Sequence, residues 1–242
     1  MIKAILMDVG RTIVTNRIID FKKGLKAVYD LDENKEKIDF TKYLEVNQAL
    51  WKISYDVARK TCTEVPIDEY LQVLCEITGL NVNLEKKELE WFFQCNLIEE
   101  ELIDGVTKFL EYVNSKNIPI IAVSNSCMTS YPISREFQEF GILKYFKEVI
   151  SSADILIRKP RKEIFDYAYG KLLKIDNSIQ KQEVLFIGND YNCDVVGSAN
   201  AGLVPVWFNE KQEEAKENSF SFINVNSYSE LINTLKIINN DK

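Results

Sequence analysis

Ile5-Leu6-Met7-Asp8-Val9-Gly10-Arg11-Thr12 is the stretch on which the reading of this chain turns. An apolar run ends in one carboxylate, and a glycine turn follows at once. Residues 3–7 have the composition of a short buried parallel strand. In an open α/β sheet the carboxyl end of such a strand is where ligands and chemistry are placed. A second run of the same design stands far downstream, Val184-Leu185-Phe186-Ile187-Gly188-Asn189-Asp190, with Asp194 after it. Two apolar strands that end in acids bring carboxylates from distant parts of the chain to one sheet edge. That is the skeleton of a cation site.

Working outward, residues 104–237 alternate between helical and strand patterns, as βαβ units do. A helix carrying Val106, Phe109, Leu110 and Val113 leads to a strand over 119–123. A helix over 134–140 stops at Gly141. A strand near 148–150, a helix over 162–173, the strand over 184–187, a helix over 195–200 ended by Gly202, and a strand over 204–208 follow. Residues 210–218 are charged and read as a solvated loop or helix start, and 227–237 as a terminal helix. Short strands separated by helices predict a parallel sheet covered on both faces. Residues 16–100 have another character. Tyr43, Val46, Leu50, Ile53 and Val57 form one helical stripe, and Ile67, Tyr70, Leu71, Leu74 and Ile77 another, opened by Pro66 and closed by Gly79. Leu89, Phe92 and Phe93 continue the pattern. No strand is evident between Ile19 and Cys95, so the expectation is an all-helical insert over 16–100, with a core of 1–15 plus 101–242. Trp51, Tyr55, Trp91, Phe92 and Phe93 are expected in its interior.

Composition narrows the function. The chain has 242 residues, 46% of them hydrophobic and 28% charged, with Lys+Arg 30 against Asp+Glu 37 and a formal charge of −7. No basic run with interleaved aromatics points to nucleic acid. No apolar stretch reaches the ~20 residues of a membrane span, and the chain enters a strand too early for a signal peptide. A cytoplasmic protein is expected. Five cysteines, Cys62, Cys75, Cys95, Cys127 and Cys193, show no metal-binding spacing and read as reduced thiols. Cys127 and Cys193 sit near the motif loops, where a semi-exposed thiol is conceivable. Histidine is absent, which removes Ser-His-Asp and Cys-His catalysis and imidazole-ligated zinc. Chemistry here falls to carboxylates, lysine, hydroxyls, backbone amides and a hard metal ion.

Four positions gather on the predicted sheet edge: Asp8; Ser124-Asn125; Lys159, in Ile157-Arg158-Lys159-Pro160; and Asp190 with Asp194. A carboxylate can attack phosphorus and divide one displacement into two. Mg²⁺, which takes oxygen ligands and few carboxylates, suits Asp8, the Gly10 carbonyl and Asp190. A hydroxyl and a lysine would hold the transferring oxygens. Each feature alone has an ordinary explanation: Asp8 as a cap, Ser124-Asn125 as a loop, Lys159 as a surface charge, Gly188-Asn189-Asp190 as a turn. Their ordered combination does not.

That combination resembles the haloacid dehalogenase (HAD) superfamily. Asp8 and Thr12 match the ends of its Asp-x-Asp-x-Thr motif, Ser124-Asn125 the second motif, and Lys159-Pro160 the third. Gly188, Asp194 and residues 197–202 match the fourth. The resemblance implies a Rossmann-like core with the helical insert as a cap that closes over the site. It implies Asp8 as nucleophile, Ser124 and Lys159 as the phosphate-binding pair, with Asn125 beside them, and Gly10, through its carbonyl, as a ligand of Mg²⁺. The implied activity is phosphatase action on a small phosphorylated metabolite through an aspartyl-phosphate. Two departures stand out. Gly10 occupies the place of the second Asp, the general acid/base. Asn189 occupies the place of the Gly-Asp carboxylate, leaving Asp190 or Asn189 to take the metal. The branches that cleave carbon–halogen or carbon–phosphorus bonds also lack that second Asp, and the latter uses a cap lysine, for which Lys22, Lys23, Lys26, Lys52 and Lys60 are candidates. A non-catalytic phosphate- and metal-binding member is the remaining alternative. Arg11 is expected either at the surface or against the substrate.

Overall fold

The computed structural model describes residues 1–32, 38–215 and 219–240. Its strands are β1 (Ala4–Met7), β2 (Val14–Ile19), β3 (Ile98–Leu102), β4 (Ile120–Ser124), β5 (Phe146–Ser151), β6 (Val184–Gly188), β7 (Val204–Phe208) and β8 (Ile223–Val225). The helices are α1 (Phe21–Asp30), α2 (Phe40–Thr61), α3 (Ile67–Thr78), α4 (Lys86–Leu97), α5 (Val106–Ser115), α6 (Ser130–Glu139), α7 (Ser152–Ile155), α8 (Lys162–Ile175), α9 (Gly197–Asn200) and α10 (Tyr228–Asn239).

Six strands form a parallel sheet in the order β5-β4-β1-β6-β7-β8. Every residue of β1, β4 and β6 is buried, as uninterrupted apolar strands covered on both faces must be. Successive side chains take opposite faces. Ile5, Met7, Ile120, Ala122, Leu185 and Ile187 join one apolar cluster with α5 and α10. Leu6, Ile121, Val123 and Phe186 join another with Ile164, Phe165 and Leu172 of α8. The order of the sheet reverses direction at β1, flanked by β4 and β6. The carboxyl ends of these three strands therefore open onto the crevice where such folds bind ligands.

A separate antiparallel ribbon pairs β2 with β3, Val14 opposite Leu102 and Ile19 opposite Ile98. Helices α1 to α4 lie between its two strands in sequence. The expected limits of the insert, residues 16 and 100, face one another across this ribbon. Among the helices, α3 buries Ile67, Tyr70, Leu71 and Leu74, and Gly79 ends it in the left-handed conformation with φ 69°. Phe93 is buried, Trp51 meets Tyr70 edge-on with ring centroids 5.2 Å apart, and Trp91 lies under the Arg135 guanidinium.

Some expectations needed correction. Ile53 and Val57 are 70% and 59% exposed. Beyond Leu50 the packed face of α2 shifts to Trp51, Tyr55 and Ala58, which are stacked or buried where the predicted stripe is not. Ile77 is likewise exposed, while α3 packs through Cys75 and Thr78. The helix expected over 134–140 begins at Ser130, capped by Thr129. The one expected over 195–200 is a π-turn, Tyr191–Val196, running into α9. Strand β8 was not foreseen. Residues 210–215 are irregular, and residues 216–218 of the charged segment lie outside the described residues.

Candidate active site

Asp8 leaves β1 with its backbone N–H donated to the Ile187 carbonyl of β6, at 2.8 Å. The next turn closes on the Val9 carbonyl, which accepts from the amides of Thr12, Ile13 and Val14. Arg11 takes the left-handed conformation (φ 59°) to make that turn. Thr12 is thereby folded back inside, and its hydroxyl donates to Asp8 Oδ2 at 3.1 Å. The Thr12 carbonyl accepts from the buried Tyr228 hydroxyl at the start of α10. Tyr228 packs between Phe109 and Phe208 and against Gly105, where φ is +82°.

Lys159 reaches the same carboxylate from the loop after α7. Its backbone is clamped by Asn125: the amide N–H donates to Asn125 Oδ1 at 2.8 Å, and Asn125 Nδ2 donates to the Lys159 carbonyl at 2.9 Å. The side chain is buried, and its ammonium meets Asp8 Oδ1, Asp194 Oδ1 at 2.8 Å and the Val123 carbonyl at 3.0 Å. Asp194 is held in turn by the Asp190 amide, which donates to Oδ2 at 2.9 Å. Asp190 caps the π-turn by accepting the Cys193 amide at 2.7 Å. The Asn189 carbonyl accepts from the Trp207 indole at 2.9 Å. Gly188 is required beside this knot, because a Cβ there would lie 2.4 Å from Asp194.

The electrostatics follow from burial. Two carboxylates share one ammonium, so the cluster is one positive charge short. Burial works against the charge on Lys159, but Asp194 and Asp8 outweigh it and hold its pKa above the ordinary lysine value. Burial, then repulsion from Asp8, pushes Asp194 up to about 7. Burial pushes the Cys127 and Cys193 thiols up to about 12, which leaves both protonated at neutral pH and unsuited to nucleophilic attack.

Asp8, Thr12, Asn125, Lys159 and Asp194 are thus joined by direct contacts. Ser124, Gly10, Arg11, Asn189 and Asp190 line the same cavity of about 660 Å³, which lies between the sheet edge and the helical insert. Arg11 is exposed at its rim. Among the described residues, none of Lys22, Lys23, Lys26, Lys52 and Lys60 lines this cavity. Several contributors carried no advance signal. The Tyr228 hydroxyl and the Val123 carbonyl act from ordinary core elements. Gln94 of α4, Glu100 of β3 and Glu136 of α6 line the cavity from segments with no motif.

The insert is stitched to the core beside the site. Thr63 bridges to Ile157, and the Arg158 amide donates to the Cys62 carbonyl, two and one residues before Lys159. Glu64 is buried and accepts from the Ser152 hydroxyl and Arg158. Glu90 of α4 accepts from both the amide and the hydroxyl of Thr129, each at 2.6 Å.

A family model of haloacid dehalogenase-like hydrolases matches residues 2–202. The chain belongs to this family. As a haloacid dehalogenase-like hydrolase it is similar to pyrimidine 5′-nucleotidase YjjG of Escherichia coli, with 27% identity over 231 residues, 94% of this chain and 95% of the relative. It shares its fold with two solved members of the superfamily. One is YfnB of Bacillus subtilis bound to magnesium, at TM-score 0.56 and 20% identity over 97% and 98% of the chains. The other is 2-haloacid dehalogenase of Pseudomonas syringae, at TM-score 0.69 and 17% identity over 98% and 100%. In this hydrolase, among the described residues, no helix is long and apolar enough to cross a membrane.

Proposed function

We propose that this hydrolase is a Mg²⁺-dependent phosphatase of a small phosphorylated metabolite, with Asp8 as nucleophile. The observation that carries the reading is the Asp8–Lys159–Asp194 contact at the floor of a cavity roomy enough for an organic phosphate ester. An Asp8 oxygen attacks phosphorus, the ester oxygen departs, and the phosphoryl group rests on the carboxylate. Water then attacks that phosphorus, releasing inorganic phosphate and restoring Asp8. Lys159 orients the carboxylate and offsets phosphate charge. Ser124 is the hydroxyl that would take a phosphoryl oxygen. Thr12 and Asn125 are positioning residues: one holds the second Asp8 oxygen, the other the Lys159 backbone.

The donor set fits magnesium. Among the described residues no three Cys, Asp or Glu side chains form a ready-made cage. Magnesium does not need one, since it keeps several waters and takes one or two carboxylates plus substrate oxygens. Asp8, the Gly10 carbonyl and either Asp190 or Asn189 are hard oxygen donors lining one cavity, beside a cluster short of positive charge. Bound there, the ion supplies charge neutralisation for the phosphoryl oxygens. Magnesium in the YfnB structure supports this reading, and the nucleotidase activity in the name of YjjG supports a nucleoside 5′-monophosphate as a substrate to try first.

Gly10 sets the limit of the chemistry. It offers no proton to the departing oxygen, so esters with good leaving groups should be favoured over alkyl esters. It is also the observation that favours a second reading, a phosphate-binding member without turnover. Hydrolysis of an aryl phosphate in the presence of Mg²⁺ separates the two. Turnover is expected, and Asp8→Asn should reduce it at least ~10³-fold while the fold persists. Activity that survives the substitution rules out Asp8 as nucleophile, and Mg²⁺-dependent phosphate binding with no turnover in the wild type supports the second reading.

A further inference from the structure

The cavity is far larger than a phosphate group, at about 660 Å³. Away from Asp8 its lining is mixed: Phe21, Leu97, Met128 and Ile133 are apolar, while Arg59 and Arg158 bring positive charge. Set into this lining are three hydrogen-bond acceptors. Gln94 on α4 is 5% exposed, and its side-chain oxygen Oε1 is buried without a hydrogen-bond partner. Such an orphan is costly, and native proteins seldom keep one without a use. Glu100 on β3 sits opposite Asn16 in the ribbon, and its carboxyl hydrogen-bonds to that of Glu136 on α6. Two carboxyls can bond to one another only by sharing a proton. Burial, followed by that bond, pushes Glu136 up to about 9. The pair brings unused oxygen lone pairs to the cavity from both the ribbon and the core.

Resting on the phosphatase reading, we propose that Gln94, Glu100 and Glu136 form a subsite for the alcohol portion of the substrate. It accepts hydrogen bonds from hydroxyl or N–H groups and so selects phosphate monoesters that carry such donors over those that lack them. The ester's phosphate lies at Asp8, and its body extends between α4, β3 and α6. A site built to accept hydrogen bonds rejects an analogue without the donors, because its own buried acceptors are then left unpaired.

Three probes test this: uridine 5′-monophosphate, its 2′,3′-dideoxy analogue and its N3-methyl analogue. The first comparison removes ribose hydroxyls, the second the base N–H. Wild-type kcat/KM should fall at least 10-fold for one analogue, which tells the two donor sources apart. In Gln94→Leu that ratio should collapse to within 2-fold, and in Glu136→Gln it should shrink at least 3-fold. A merely structural role would lower all three rates together and keep the ratio. Equal wild-type values for the three probes, or an undiminished ratio in both variants, overturns the proposal. If the wild type turns over none of them, the aryl phosphate assay alone decides the phosphatase reading. The same ratios are then taken from Kd by calorimetry, on which the subsite stands or falls by the same limits.

Discussion

Gly10 and Gly188 are both glycines of the site loops, yet their surroundings call for opposite outcomes on substitution. A Cβ at Gly10 would meet nothing within 4 Å, and the residue is exposed at the cavity. A side chain is therefore tolerated there. On the phosphatase reading proposed above, Gly10→Asp would supply the carboxyl of an acid/base, and positioned acid–base catalysis is worth ~10²–10⁴-fold. Turnover of an alkyl phosphate is expected to rise by about that factor relative to an aryl phosphate; a ratio unchanged from wild type would show that the missing acid is not the limiting defect. At Gly188 the added methyl would collide with Asp194 at 2.4 Å. Asp194 would have to leave both Lys159 and the Asp190 amide, so Gly188→Ala is expected to cost about 1–3 kcal/mol and most of the activity. Urea unfolding alongside an activity assay checks both, and a variant as stable and active as wild type refutes the packing argument. Much of the candidate site was legible in the sequence because Asp8 and Asn125 directly follow strands of the sheet, and Lys159 stands in the loop that opens α8. Tyr228 was not, since a tyrosine at a helix start is commonplace until its hydroxyl is seen against the Thr12 carbonyl.

At the level of elements, the parallel strands β1, β4 and β6 were readable because burial on both faces leaves an unbroken apolar run. The β2–β3 ribbon gave no such signal. Its strands read Val-Thr-Asn-Arg-Ile-Ile and Ile-Glu-Glu-Glu-Leu, and most of β2 is exposed, so neither alternation nor apolarity marks them. In α2 the periodicity was correct for a helix but its packed face was offset, because tertiary contacts with Tyr70 and Phe21 recruit Trp51. The link from α4 to α6 carries a pH dependence. Burial raises Glu90 from 4.5 to about 7, with its bonds to Thr129 opposing the shift. Between those values the folded chain binds more protons at this position than the unfolded chain does. The contribution is thus complete below pH 4.5 and is lost as pH rises toward 7, by an amount on the order of 3 kcal/mol. Glu90→Gln is expected to flatten this part of the stability–pH curve, measured by denaturant unfolding from pH 4.5 to 7.5. An unaltered slope would sink the assignment. The neighbouring Glu88–Arg135 pair is exposed and contributes far less.

For the molecule as a whole, the sheet alone does not complete the site; α10 does. Tyr228, Leu231 and Leu235 are at most 1% exposed and close one face of the sheet. Three such side chains stabilise by roughly 1.5–3 kcal/mol each, against a total of about 5–15 kcal/mol for a typical domain. A chain ended after Val225 is therefore expected to lose cooperative unfolding in urea, and a sharp transition at the wild-type midpoint would contradict this. The same helix explains why the first motif is not self-sufficient. Its turn is closed locally, through the Val9 carbonyl, but the Thr12 carbonyl depends on a hydroxyl 216 residues away.

That separation has a consequence for biosynthesis. The tyrosine that latches Thr12 stands 216 residues further along the chain that the ribosome makes. Until Tyr228 has been made, the newborn strand can pair and collapse while the loop around Asp8 lacks its final anchor. The complete arrangement is available only once α10 has cleared the exit tunnel.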